Sequence, residues 1–139
     1  NVGPVWRRAA CTDHISRLDA REVVKRLHCR YDALSTPPAF AAFRAPLAQE
    51  FAVLDEDATE ENIQARIRGT ILMALSNKHG SIVLTTGNKS EMAVGYCTLY
   101  GDMAGGFAVI KDIAKTLVYR LCAYRHGVSD VIPLRILTP

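Results

Sequence analysis

Apolar residues recur along the chain at two different periods, and their alternation predicts an α/β arrangement. Residues 16 to 28 form an amphipathic segment in which Leu18, Val23, Val24 and Leu27 make a partial apolar stripe, with Ser16 placed to cap it. Cys29 to Ser35 reads as a short strand. Thr36-Pro37-Pro38 then breaks the chain and opens a second helix through Phe40, Phe43, Leu47 and Phe51, interrupted by Pro46. Beyond the acidic linker Asp55-Glu56-Asp57 lies the most regular helical pattern. Thr59 is its expected cap, and Glu60 and Glu61 favour the positive end of the helix dipole. Ile63, Ile67, Ile71, Ala74 and Leu75 form one continuous face, and Gly80 stops the helix. This period sets Asn62, Arg66 and Thr70 along one adjoining edge and turns Arg68 elsewhere.

The run Ile82-Val83-Leu84 predicts a strand over Ser81 to Thr86, followed by a turn at Gly87-Asn88-Lys89. A helix is expected over residues 90 to 100, carrying Met92, Val94, Tyr96 and Leu99, with Ser90 as its cap. Gly101 to Gly106 is a glycine-rich loop, and Phe107 to Ile110 reads as a short edge strand or a packed loop. A last helix over Lys115 to Arg125 would face the core with Leu117, Val118, Leu121 and Cys122, before the apolar tail Ile132 to Leu137. Strands alternating with helices predict a parallel sheet covered by helices. Only two or three strands can be found, however, so the expected fold class is α/β with a partial doubly wound parallel sheet.

Composition narrows the function classes. The 139 residues suffice for one domain, and 49% hydrophobic with 22% charged residues excludes a disordered chain. A net charge of +3 without any lysine- or arginine-rich run gives no support to nucleic-acid binding. Every apolar run falls short of the ~18 residues a membrane helix needs, so no membrane partner is expected. The N-terminus has no apolar targeting core and no initiating methionine, which points to a chain that begins inside a longer one. Cys11, Cys29, Cys97 and Cys122 stand far apart, as do His14, His28, His79 and His126. Free thiols in a reducing cytoplasm are the expectation, with no zinc site. His79 and His126 precede glycines at the expected helix ends, where a cation suits the dipole.

The residues with chemical potential cluster around Thr85 to Glu91. A strand that ends in Thr-Thr-Gly and turns into a helix collects N–H groups, hydroxyls, an amine and a carboxylate at one point. That point, in α/β sheets, is where nucleotides are held. Two readings stay open: a plain turn with a capped helix, or an anion and sugar site in which Glu91 ligates magnesium. The loop Gly101 to Gly106 is equally a turn or a place of close approach to a ligand. Arg66 suits a carboxylate or phosphate but is equally a surface side chain. Lys115 at a helix start opposes the dipole, a cost that an anionic ligand would offset.

The block from Glu60 to Tyr124, with ENIQARIRG, TTGNKSEMAVGY and TLYGDMAGGFA, resembles the synthetase domain of bacterial glutamine-dependent NAD synthetases. A weaker likeness extends through Thr12-Asp13-His14-Ile15-Ser16, Arg30-Tyr31-Asp32 and Pro38-Ala39-Phe40, and on to Leu137-Thr138. The resemblance implies an ATP-pyrophosphatase, adenine-nucleotide-hydrolase-like fold. It implies adenylation of the nicotinate carboxylate of deamido-NAD by ATP and magnesium, then displacement of AMP by ammonia drawn from glutamine in a separate amidase domain. Position by position, it implies that Asn62 and Arg66 contact deamido-NAD and that Thr86 binds ATP. Glu91 would serve magnesium and deamido-NAD, Tyr96, Cys97, Thr98 and Leu99 would line the deamido-NAD site, and Lys115 would neutralise ATP phosphates. Asp102 is a weaker candidate in the same mouth. It also implies a homo-oligomer.

Four departures accompany the resemblance. The family's Ser-Gly-Gly-x-Asp-Ser phosphate loop is absent from these 139 residues, as is the amidase domain, and the only Gly-Gly pair is Gly105-Gly106. Cys97 stands where alanine is common, and Ala114 where proline is common. The chain therefore reads as a single partial synthetase domain, expected to make no NAD in isolation. The alternatives are an ATP-pyrophosphatase relative with another acceptor, and a non-catalytic fragment that binds nucleotide or dimerises.

Overall fold

A computed structural model describes residues 5–8 and 14–137. In chain order they form β1 (Val5–Arg8), α1 (His14–Arg26), β2 (Asp32–Ser35), α2 (Pro37–Arg44) with a 3-10 turn at Ala45–Leu47, α3 (Ala58–His79), β3 (Leu84–Thr85), α4 (Lys89–Ala93), β4 (Phe107–Ala108), α5 (Lys115–Val128) and α6 (Leu134–Leu137). The fold is α/β, as expected. Four strands are described against the two or three expected, β1 being the one not anticipated: β1 pairs parallel with β2 and β3 parallel with β4, as two separate pairs. Among the described residues, each strand thus leaves one edge unpaired. The expected strand over Ser81 to Thr86 shrinks to Leu84–Thr85, because only two residues find a partner.

Several boundaries differ from the sequence expectation for identifiable reasons. Helix α1 already includes His14, so the expected cap Ser16 lies inside it. Asp57, not Thr59, caps the 22-residue α3. Its carboxylate accepts the Thr59 N–H at 2.7 Å, while Glu60 reaches back to the Asp57 N–H at 3.0 Å, a reciprocal capping box. Gly80 does end α3, with φ of 60°, and the Ser81 N–H closes on the Ser76 carbonyl at 3.0 Å. Helix α5 runs three residues past Arg125 to Val128, and His126 lies in its last turn, as expected; its Nδ1 lies 2.8 Å from the Ile132 carbonyl oxygen.

The largest difference is the helix expected over residues 90 to 100, which is a single turn, Lys89–Ala93. Gly95 adopts φ of 71°, its N–H meets the Met92 carbonyl at 3.2 Å, and the Tyr96 N–H reaches the Glu91 carbonyl at 2.9 Å. These two bonds form a Schellman closure. The apolar residues that suggested a longer helix, Val94, Tyr96 and Leu99, are all exposed.

Packing is uneven. Ala65 and Ile67 of α3 and Val24 of α1 are the buried hydrophobic residues among those described. Two ion pairs tie α1 to the C-terminal segments: Arg26 to Asp130 at 2.5 Å, and Arg135 to Asp19. Arg26 also holds the Glu22 carboxylate at 2.8 Å, which lowers the Glu22 pKa. The accessible surface is 10019 Å². A compact monomer of 15.3 kDa is expected to expose only roughly 7,100 Å² by the mass scaling for folded proteins. Large apolar side chains are among the exposed residues, including Leu117, Leu121, Tyr124 and Val128 on α5. Leu117 and Leu121, expected to face a core, are uncovered, and Val118 and Cys122 are half-buried.

Candidate functional site at the end of β3

Two polar clusters meet where β3 runs into α4. The first is built on the start of α4. Asn88 is buried, and its side-chain oxygen accepts the Ser90 and Glu91 N–H groups at 2.9 and 3.1 Å. Glu91 Oε2 accepts the Asn88 N–H at 2.9 Å. Asn88, not Ser90, is therefore the cap, and the carboxylate of Glu91 is fixed at the mouth of the turn. The signal was present in the sequence as Asn-Lys-Ser-Glu, the cap residue followed three later by glutamate. Ser90 serves elsewhere, its hydroxyl accepting the Lys115 N–H at 3.0 Å, while the Lys89 N–H donates to the Ile113 carbonyl at 3.0 Å. These bonds stitch the starts of α4 and α5 together. They satisfy one of the N–H groups that α5 leaves without an intrahelical partner, since its own cap position, Ala114, offers no side-chain acceptor.

The second cluster joins α3 to the loop after α4. Asn62 Oδ1 accepts the Thr98 hydroxyl at 2.8 Å, and Arg66 Nε donates to the Leu99 carbonyl at 3.3 Å. Asp102 Oδ1 accepts the Thr98 N–H at 2.7 Å, and the Gly101 N–H closes the turn on the Thr98 carbonyl at 3.0 Å. Thr70, the third residue of that edge, bonds back to the Arg66 carbonyl at 3.0 Å. The contact depends on small residues. A Cβ on Gly69 would stand 2.8 Å from the Gly101 carbonyl oxygen, and one on Gly101 would stand 2.9 Å from Ala65 Cβ. Tyr100 takes a left-handed φ of 62°, which costs a non-glycine residue ~1–2 kcal/mol. Nothing in the sequence set Gly69 and Ala65 apart, because the period of α3 is carried by its isoleucines.

The glycine-rich loop then folds over β3. The Gly106 N–H donates to the Val83 carbonyl at 2.9 Å, and a Cβ on Gly105 would lie only 2.5 Å from Thr85 Cγ2. Thr85 is buried under this cover, and its hydroxyl has no hydrogen-bond partner among the described residues. Thr86, the next residue, is exposed. So are Arg66, Tyr96, Cys97, Leu99, Asp102 and Lys115, while Asn62, Glu91 and Thr98 are half-buried. The structure thus ties Asn62, Arg66, Thr98, Leu99 and Asp102 into one network and brings Ser90 to Lys115. Tyr96 is held to the backbone of Glu91, which makes the two clusters continuous. Cys97 follows in the same loop, as a free thiol.

For magnesium, the observation that matters is the donor set. Among the described residues no group of three or more His, Cys, Asp and Glu side chains is gathered for a metal. Glu91 offers one fixed carboxylate. Magnesium is commonly held by one or two carboxylates with substrate phosphates and water completing its octahedron, so Glu91 fits such a site as one ligand.

The sequence model of the NAD synthase family matches residues 9–139. The glutamine-dependent NAD(+) synthetase of Acinetobacter baylyi is 53% identical over 129 residues, covering 91% of this chain and 24% of that protein. The structure of the glutamine-dependent NAD+ synthetase of Acinetobacter baumannii, in complex with ADP, superposes with a TM-score of 0.95 at 48% identity, over 98% of this chain and 26% of that one. An NMN synthetase from Francisella tularensis superposes with a TM-score of 0.83 at 27% identity, over 97% of this chain and 53% of that one. The chain spans about a quarter of the length of the glutamine-dependent relatives it matches. With the family's model fitting nearly the whole length, on a fold shared with solved members, this chain belongs to the NAD synthase family.

Proposed function

We infer that these residues form the acceptor-binding part of a synthetase domain that amidates deamido-NAD to NAD, using ATP and ammonia drawn from glutamine. The domain would be a doubly wound sheet of the adenine-nucleotide-hydrolase-like, ATP-pyrophosphatase kind. The observation that supports this best is the meeting of the Asn62–Arg66–Thr98 network with the capped Glu91 and Lys115 at the carboxyl end of one strand. Open α/β sheets bind nucleotides at such a place.

A carboxylate does not exchange its oxygen for ammonia unaided, because oxide is too poor a leaving group. Attack of a carboxylate oxygen on the α-phosphorus of ATP makes the C–O–P link and breaks the bond to pyrophosphate, which leaves. The ammonia lone pair then adds to the acyl carbon, AMP departs with the former carboxylate oxygen, and the new amide gives up one proton. Such an enzyme must align carboxylate and phosphorus, neutralise the departing pyrophosphate and keep water out. Asn62, Arg66 and the strip Tyr96-Cys97-Thr98-Leu99 hold deamido-NAD. Thr86 and Lys115 bind ATP, the lysine meeting its phosphates. Glu91 is the protein's ligand for magnesium, which supplies charge neutralisation at the phosphates when bound.

A loop of the Ser-Gly-Gly-x-Asp-Ser kind, whose N–H groups cradle pyrophosphate, completes the site from outside these 139 residues. The unpaired edges of β1 and β3 support a further strand between the two pairs. The exposed apolar face of α5 supports packing against the remainder of the protein or a second copy in a homo-oligomer. The free thiols Cys29, Cys97 and Cys122 suit the cytoplasm. An acceptor other than a dinucleotide is the second reading, favoured by the likeness to an NMN synthetase. The lower identity of that likeness, 27% against 48%, ranks it second. Calorimetry on the complete gene product is expected to show binding of both deamido-NAD and Mg-ATP. Failure of either to bind overturns the assignment.

A further inference from the structure

The network on α3 has a polarity, and the polarity has a consequence for selectivity. Asn62 carries one acceptor and two donors on its side-chain amide. Its oxygen is occupied by the Thr98 hydroxyl at 2.8 Å, and Thr98 is itself pinned by Asp102 at its N–H and by Gly101 at its carbonyl. The part of Asn62 left to face a ligand is its NH2. One turn along the same edge, Arg66 is anchored through Nε to the Leu99 carbonyl, and the rest of its guanidinium consists of donors only. No acceptor side chain stands on this edge between them: the intervening residues are Ile63, Gln64 and Ala65, and Gln64 lies on another face.

We infer that the Asp102–Thr98 pair locks the Asn62 amide with its NH2 outward, so that this edge reads an acceptor and discriminates a ligand's carboxylate from its carboxamide. This rests on the proposed binding of deamido-NAD and deepens it. Substrate and product of the amidation share every phosphate and both riboses. They differ at one ring substituent, acceptor-only in the acid and half donor in the amide. Against the donors of Asn62 and Arg66, the product's amide N–H groups meet N–H groups, and donors that a bound ligand covers without partnering disfavour binding. Thr98 and Asp102 are positioning residues, and Asn62 is the reader. The same donors would also serve a pyrophosphate oxygen, and the two sources are separable because the product keeps its pyrophosphate.

The test is calorimetry on the complete gene product with deamido-NAD, NAD and Mg-ATP, for the wild type and three variants. Asn62→Asp keeps the shape and the acceptor for Thr98 but replaces the outward NH2 with an oxygen. Its affinity for deamido-NAD is expected to fall roughly tenfold or more, the loss of a hydrogen bond to a charged group. If the carboxylate is what the edge reads, NAD affinity holds and the preference for the acid collapses. If the pyrophosphate is read, both dinucleotides weaken equally and the discrimination part of the inference is overturned. Thr98→Val, which frees the Asn62 amide to turn, is expected to lower the acid-over-amide ratio, and Thr98→Ser to restore it. A Thr98→Val protein with wild-type selectivity contradicts the lock, as does an Asn62→Asp protein that binds deamido-NAD normally. Unchanged Mg-ATP binding marks each variant as folded. A wild-type protein that binds neither deamido-NAD nor Mg-ATP overturns the functional assignment itself, a result distinct from any of these.

Discussion

The contact between α3 and the loop after α4, and the outward face of α5, are held by opposite means. In the first, small residues bring two backbones within van der Waals reach, and hydrogen bonds tie the loop to its neighbours: Thr98 to Asn62 and Asp102, Leu99 to Arg66, Gly101 to Thr98. In the second, large apolar side chains at Leu117, Leu121, Tyr124 and Val128 lie open, with little beyond the helix's own bonds and the stitch at Lys115. The site is organised locally by geometry, whereas the hydrophobic free energy of α5 is left for another surface to collect. A region can thus be positioned for chemistry without being part of a self-sufficient core.

The sharpest way to break this contrast is at Gly69. A side chain there meets backbone oxygens at 2.8 and 2.9 Å, which cannot swing aside as a flexible side chain would. Gly69→Val is expected to lower stability in urea titration by about 2–3 kcal/mol, as overpacking does, and to abolish deamido-NAD binding. Next in size is Asn88→Ala, which removes the cap of α4 and releases Glu91; a loss of about 1–2 kcal/mol is expected, with Asn88→Asp close to wild type. Leu121→Ser on the half-exposed side of α5 should change the stability of the 139-residue chain by less than about 0.5 kcal/mol. In the complete gene product the same substitution should cost several times more, as follows from the proposal that another surface packs on this face. Equal effects in both would dissolve the contrast.

The smallest effect concerns pH. Hydrogen bonds from Thr59, side chain first and then backbone, hold the Asp57 pKa below its ordinary 3.8. A carboxylate whose folded pKa is depressed contributes stability above its unfolded value and loses it as pH falls through the folded one. Helix α3 is therefore expected to fray at its start below about pH 4, visible as a small loss of far-ultraviolet helical signal that Asp57→Ala lacks.

How much of this was legible in the sequence differs by region for physical reasons. Helix α3, its stop at Gly80 and the shared edge of Asn62, Arg66 and Thr70 follow from period and composition alone. The strand-to-turn change at Thr85 to Asn88 was equally plain. What escaped were features set by tertiary contact or by competition between neighbours. Asp57 outcompeted Thr59 and Asn88 outcompeted Ser90, because a cap is chosen by which backbone N–H group lies within reach. Val94, Tyr96 and Leu99 suggested a helix, but Gly95 can adopt the left-handed closure that ends α4 after one turn. The separation of the strands into two pairs was invisible because pairing is a property of partners, and a sequence read alone does not contain them.

At the centre stands the proposal that this site activates a carboxylate by adenylation before ammonia takes its place. As an isolated 139-residue chain it is expected to make no NAD from deamido-NAD, Mg-ATP and ammonia, since the phosphate-cradling loop is not among its residues. The decisive measurement is the nucleotide balance of the complete gene product supplied with deamido-NAD, Mg-ATP and glutamine. AMP and pyrophosphate are expected in one-to-one ratio with NAD. Formation of ADP and phosphate, or full NAD synthesis by the 139-residue chain alone, would contradict the proposal.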